Sequence, residues 1–206
     1  MMEPVVGRQP FVTTQNISDL ENIQETYITH QFEGQLDTGK MMQALIQKCV
    51  SEQIPILNGI WVKEVLETGN GATIGTQDFQ FNSKKVFVAT NGFASQLVKS
   101  ETIQPARAQV LVTEPIKNLK IKGTFHFDEG YYYFRNIDDR ILFGGGRNLD
   151  FESEETTDFG ETPIIQEKLE DLLQQMILPR QPVQIDRRWS GILGVGGQKT
   201  PTVKHV

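Results

Sequence analysis

The chain is nearly devoid of cysteine: Cys49 is the single one in 206 residues. No intrachain disulfide and no cysteine-built metal site can form. Histidine is scarce too. His30, His126 and His205 stand too far apart for a compact metal-ligand spacing, so no metal is expected. Positive charge is in deficit, with 20 Lys and Arg against 26 Asp and Glu and a formal net charge of -6. A nucleic-acid partner would require a basic face, and this balance argues against one. No apolar run approaches the ~20 residues of a membrane-spanning helix. The opening MMEPVVGRQP places Glu3 and Pro4 where a secretory signal carries basic and then apolar residues, so a cytoplasmic location is expected. Internal repeats and Pro- or Gly-rich linkers are also missing.

Phosphate-gripping turns are lacking as well. In GNGATIG (69–75) the third glycine arrives one residue late, and the stretch joins two predicted strands instead of opening a helix. In GVGGQKT the residue before the lysine is Gln198, where a phosphate loop needs glycine. No G-x-S-x-G nucleophile turn exists, because Arg188 stands two residues before Ser190. The acidic loop with Glu152, Glu154, Glu155 and Asp158 lacks the acid-glycine alternation of a calcium loop and reads as a solvated loop.

What is present is an ordinary globular composition, 38% hydrophobic and 22% charged. A chain of this length buries roughly 70% of the surface its unfolded form exposes, enough for one large domain or two small ones. Tyr27 to Phe32 suits a short strand. The spacing then predicts a helix over 39–52 with Thr38 as N-cap and Met41, Met42, Leu45, Ile46, Cys49 and Val50 on one core-facing stripe, ended ahead of Pro55. Cys49 on that stripe reads as a buried structural thiol. Asn70-Gly71 predicts a type I′ hairpin, and Val86 to Ala89 a buried strand. From Gln109 onward alternation dominates, through QVLVTEPI, GTFHFDEGYYYFR and, after a turn at 136–140, ILFGGG. A second helix is expected from Thr162 (N-cap) and Pro163 to Pro179, with Ile165, Leu169, Leu172, Leu173 and Met176 on its apolar stripe. The fold class is α+β: a mixed, largely antiparallel sheet flanked by helices.

Two stretches could carry chemistry. In VFVATNGFASQL (86–97) a strand ends in Thr90, Asn91 and Gly92, which either lets backbone approach a ligand or forms an ordinary turn. In GYYYFR, Tyr131, Tyr133 and Arg135 share one face of an alternating strand, with Tyr132 and Phe134 on the other. Tyrosines pack well in any sheet, so this face is either a ligand surface or plain packing. Arg135 could hold a carboxylate through its planar fork or simply charge the strand end.

The phrases PARAQVLVTEP (105–115), GYYYFRNIDDR (130–140) and ILFGGGR (141–147) together resemble the substrate-domain sheet of the D-amino-acid-oxidase-like flavoenzymes, the glycine oxidase and sarcosine oxidase group. The stretch at 86–97 is similar to that family's ATG-type segment beside the cofactor, and RRWSGILG (187–194) to its Trp-x-Gly phrase. The resemblance implies FAD as cofactor and a small-molecule amine or amino acid as substrate, oxidised by hydride transfer to the flavin. It implies Tyr131 first and Tyr133 second as substrate-binding residues, with Arg135 the candidate beside them, and Thr90, Gly92, Trp189 and Gly191 as cofactor-facing ones. No acid or base is assigned. Where glycine oxidase-like members place a carboxylate-binding arginine, this chain has Leu193, so Arg107, Arg135 or Arg147 substitutes or the substrate is not a small free amino acid. The expected organisation is a partial FAD-binding domain at 1–104, a substrate-binding domain at 105–186 and a return segment at 187–206. On this view the chain is an internal fragment without the dinucleotide fingerprint and is inactive by itself. The alternative is a self-standing, non-catalytic binding or assembly module that keeps the substrate-domain sheet.

Overall fold

The computed structural model describes residues 7–15, 20–98, 103–197 and 203. In chain order the elements are β1 (Phe11–Gln15), β2 (Thr26–His30), α1 (Thr38–Ser51), β3 (Val62–Thr68), β4 (Gly71–Thr76), β5 (Gln80–Ser83) and α2 (Ala94–Leu97). They continue with β6 (Ile103–Thr113), β7 (Thr124–Phe127), β8 (Tyr132–Ile137), β9 (Arg140–Gly145), α3 (Pro163–Leu172) and β10 (Ile185–Gly196). The chain is α+β with largely antiparallel sheets, as its alternating segments predict. It divides into two compact units: residues 1–37, 109–150 and 160–190 form the first, and 38–108, 151–159 and 191–206 the second.

The first unit is built on a sheet in the order β10-β6-β9-β8-β7, with β6–β9, β9–β8 and β8–β7 antiparallel. Its core follows from period-two alternation. Tyr132 and Phe134 of β8, Ile141 and Phe143 of β9 and Leu111 of β6 are buried together against Ile165, Leu169, Leu173 and Met176. Each such side chain contributes about 1.5–3 kcal/mol of hydrophobic stabilisation. The ring of Phe125 stacks on Phe134 at 4.6 Å between centroids, and that of Phe127 on Tyr132 at 5.1 Å. β8 and β9 are joined by Asp138-Asp139, both at positive φ (44° and 57°), as a two-residue hairpin between Ile137 and Arg140 requires.

The second predicted helix forms as expected. Thr162 is its N-cap and Pro163 its first residue, and the buried stripe continues past Leu172 through a π turn at Leu173–Ile177. Its N-terminus is held by a buried amide. Gln109 Oε1 accepts the Thr162 N–H (2.9 Å) and a Gln166 Nε2 proton (3.0 Å), while Gln109 Nε2 donates to the Thr162 hydroxyl. The Thr162 side chain is thereby taken up by Gln109 and does not cap the helix itself.

In the second unit β3, β4 and β5 form an antiparallel three-stranded sheet. The hairpin expected at Asn70-Gly71 exists but is offset by one residue. Thr68 pairs with Gly71, so Gly69 and Asn70 form the loop, and neither has positive φ. Gly71 opens β4 at φ 150°, where a Cβ would lie 2.2 Å from the Ser83 carbonyl oxygen.

Two further expectations are corrected here. α1 forms over the predicted residues, but none of them is buried: Met42, Leu45, Ile46 and Val50 are exposed and Cys49 is only half-buried. Val86 to Ala89 is not a buried strand either. Residues 85–90 belong to no strand, and Phe87 is 92% exposed. The cause is the same in both places. Periodicity identifies the face that seeks burial, whereas burial requires a packing partner, and none covers these faces among the described residues.

Candidate functional site

β8 presents Tyr133 and Arg135 on the face opposite the core, because Tyr132 (3% exposed) and Phe134 (2%) occupy the alternate positions. The cross-strand register sets a row of neighbours: His126 on β7, Tyr133, Gly144 on β9 and Val110 on β6. Tyr133 is half-buried, with its ring 6.3 Å from that of His126. Its hydroxyl bonds to no described residue. Burial raises the Tyr133 phenol above the ordinary tyrosine value, so the group is a neutral hydrogen-bond donor across the physiological range.

Arg135 donates from NH1 to the Leu36 carbonyl, and its Nε is buried without a partner. It meets no acidic side chain among the described residues. A guanidinium has five N–H donors, and leaving one buried and unpaired costs about 1–3 kcal/mol, so an anionic acceptor at this point is favoured. Most of the arginines proposed as stand-ins are differently placed. Arg107 forms a fork with Glu154, which is 0% exposed: Nε to Oε2 is 3.0 Å and NH2 to Oε1 is 2.8 Å. That hydrogen bond, more than any other influence, raises the Arg107 pKa, so Arg107 is committed to the loop at 151–159. Arg147 sits half-buried in a short turn at Arg147–Leu149 following β9. Arg140 is tied to Asp186 at 2.7 Å.

Tyr131 does not lie on the strand with Tyr133. It ends the connection from β7, in helical backbone conformation just before β8, and is 37% exposed. Asp128, Glu129 and Gly130 ahead of it all have positive φ (51°, 56° and 87°), a strained turn whose shape displays Tyr131.

The glycines of ILFGGGR turn out to shape this face, a role that no local pattern reveals. A Cβ on Gly144 would stand 2.5 Å from Val110 Cγ1 and 2.8 Å from the Tyr133 hydroxyl oxygen, so Tyr133 lies across the space that Gly144 leaves. At Gly145, with φ 127°, a Cβ would meet the Tyr131 carbonyl oxygen at 2.0 Å, and the Gly146 N–H donates to that same oxygen at 3.0 Å. The register that makes these approaches is a tertiary fact, which is why the glycines read only as part of a phrase.

In the second unit, Thr90 is exposed and precedes the short turn at Asn91–Phe93. Asn91, at φ 50°, reaches β10 with both ends of its amide: Nδ2 donates to the Ile192 carbonyl (3.2 Å) and Oδ1 accepts from the Gly194 N–H (2.7 Å). Gly92 is buried at that contact, where a Cβ would stand 2.6 Å from the Leu193 carbonyl oxygen. On β10, Gly191 has open space where its side chain would be, while Trp189 and Leu193 are 42% and 47% exposed.

The described residues offer donors for an anion at one place and no grip for a dinucleotide. Tyr133 and Arg135 supply a neutral hydroxyl and a guanidinium, chemistry that suits a carboxylate. The space at Gly92 is filled by β10, and no described strand leads through a glycine-rich turn into a helix N-terminus that could receive a pyrophosphate. No group of acidic, histidine or cysteine side chains suited to a metal occurs among the described residues. No described helix is long and apolar enough to cross a membrane.

A family model described as FAD dependent oxidoreductase matches residues 8–206. No curated protein sequence matches significantly. Several solved structures share the fold. Glycine oxidase from Geobacillus kaustophilus has a TM-score of 0.78 at 15% identity, over 97% of this chain and 55% of that one. L-proline dehydrogenase from P. horikoshii has a TM-score of 0.73 at 19% identity, over 88% of this chain and 50% of that one. L-amino acid deaminase from Proteus vulgaris has a TM-score of 0.72 at 12% identity, over 100% and 55%. The chain thus spans about half the length of these structures.

Proposed function

The chain belongs to the FAD dependent oxidoreductase family, and from that premise we propose that it carries the substrate face of an enzyme oxidising a small amine or amino acid. One observation carries this reading: Tyr133 and Arg135 stand two residues apart on the outward face of β8, a neutral phenol beside a guanidinium without an acidic partner. Arg135 binds the substrate carboxylate, the Tyr133 hydroxyl donates to one of its oxygens, and Tyr131 flanks them from the strained turn. When bound, FAD supplies the redox chemistry by accepting a hydride from the carbon that bears the amine. The chain's own contribution is to fix and orient the carboxylate, and no side chain is assigned a proton transfer.

Thr90, Trp189 and Gly191 are proposed as the cofactor-facing residues, with Gly92 acting through the turn it allows. A pyrophosphate grip is not proposed within the described residues. The apolar stripe of α1, uncovered among the described residues, weighs against a self-standing module, whose hydrophobic faces would be capped. A cytoplasmic setting belongs to the same proposal, and Arg135 is its stand-in for the arginine that Leu193 replaces.

Calorimetric titration with glycine and with methylamine tests the proposal. Glycine is expected to bind and methylamine, which lacks the carboxylate, is not. Arg135→Gln is expected to weaken glycine binding about 10- to 100-fold, the weight of a charged hydrogen bond. Equal binding of both compounds, or an Arg135→Gln variant that binds glycine like the parent, refutes it. The purified chain is expected to be colourless; tight stoichiometric retention of FAD refutes the cofactor part alone.

A further inference from the structure

The Arg135 guanidinium already has an occupant. The segment after β2 runs past β8, where the Leu36 carbonyl accepts from Arg135 NH1 and Gln35 Nε2 donates to the Asn136 carbonyl at 3.0 Å. At its start the segment is well anchored: the Gln31 N–H donates to the Pro10 carbonyl (3.0 Å), and Phe32 lies under the Arg8 guanidinium at 4.8 Å. Beyond Phe32 the character changes. Glu33, Gly34, Gln35 and Leu36 are all exposed, and Gly34 has no heavy atom within 4 Å of where its Cβ would be. Two hydrogen bonds to β8, one through each of Gln35 and Leu36, tie this lightly packed stretch to the strand that carries Tyr133.

We infer that residues 33–37 form a strap whose Leu36 carbonyl competes with carboxylate ligands for Arg135, so that Gln35, its second tether, sets the affinity threshold of the site. This rests on the assignment of Arg135 as the carboxylate-binding residue. A neutral carbonyl is a weaker partner for a guanidinium than a carboxylate, because charge-assisted bonds are roughly twice as strong. A carboxylate that takes the NH1 donor therefore displaces the carbonyl and releases the strap. Apparent affinity is the intrinsic affinity multiplied by the fraction of molecules with the strap released. Carboxylates that engage Arg135 weakly are rejected because they fail to offset the lost bonds, while those that engage it well succeed.

The inference predicts an unusual sign: removing a hydrogen bond improves binding. Gln35→Ala is expected to tighten glycine binding about two- to tenfold, the weight of one ordinary hydrogen bond. Gln35 is exposed, so the substitution leaves the core untouched. The Asp37 amide shares a peptide group with the Leu36 carbonyl, and its NMR resonance reports that carbonyl's partner. It is expected to move during a glycine titration with the calorimetric Kd, and to be displaced in the same direction in ligand-free Arg135→Gln. Unchanged or weaker glycine binding by Gln35→Ala, or an unmoved Asp37 amide at saturation, overturns the inference while the carboxylate assignment stands. Failure of glycine to bind the parent chain overturns both.

Discussion

Adding one methyl group at Gly144 is the sharpest perturbation of the candidate site. The backbone there does not have positive φ, so alanine brings no conformational strain and acts by volume alone. Its Cβ would arrive 2.5 Å from Val110 Cγ1, 2.8 Å from the Tyr133 hydroxyl oxygen and 2.9 Å from Tyr133 Cε2. Val110 is β-branched and stiff about χ1, whereas Tyr133 meets the new atom with the far end of a longer side chain. Val110 must give locally, and Tyr133 yields further: Gly144→Ala is expected to expel its ring from the sheet. Overpacking of this kind costs about 1–3 kcal/mol. For a chain of this size that lowers the melting midpoint by roughly 2–12 °C. Thermal unfolding measures that fall, and ultraviolet titration of the tyrosinates follows the ring: once expelled, the Tyr133 phenol loses the burial that raises it and titrates nearer the ordinary value. In a Tyr133→Ala background the methyl group finds part of its space empty, so its cost should shrink by about 1 kcal/mol or more, a coupling typical of residues in contact. A Gly144→Ala protein that melts and titrates like the parent, with no coupling to Tyr133, would refute the account of how the face is shaped.

Two other outcomes are expected. Arg107→Ala strands the fully buried Glu154 carboxylate and should cost about 3–5 kcal/mol in chemical denaturation, against a smaller loss for the Arg107→Ala/Glu154→Gln double variant, which leaves no bare charge. With its phenol raised by burial, Tyr133 lends stability that is complete below the unfolded value near 10 and is lost as pH climbs through the folded value; Tyr133→Phe should flatten that alkaline decline in a denaturation series, and an unchanged slope would contradict it.

The elements that read clearly in the sequence are those whose evidence is local. Thr162, Pro163, the stripe from Ile165 to Met176 and Pro179 describe α3 through neighbours in sequence, and the alternation of Tyr132 and Phe134 against Tyr133 and Arg135 sorts core from surface correctly. α1 and Val86 to Ala89 show the limit. Their apolar patterns are real, yet the pattern contains no information about whether a partner covers them. The candidate site divides in the same way. Tyr133 and Arg135 stand out by type and spacing. The Arg107–Glu154 fork, the Leu36 carbonyl on Arg135 and the seating of Tyr133 over Gly144 depend on which distant residues the sheet brings alongside, and spacing along one strand is silent about that.

The Asn91 side chain behaves toward β10 as a stray peptide group, giving and taking one bond as an adjoining strand would. Those bonds link positions 101 and 103 residues apart. Closing so long a loop costs about 4 kcal/mol of chain entropy before any return. The bend bearing Thr90 and Gly92 thus owes part of its shape to a segment about a hundred residues further along the chain. A nascent chain from which β10 has not yet emerged lacks both of these bonds, which makes β10 a template for a much earlier stretch.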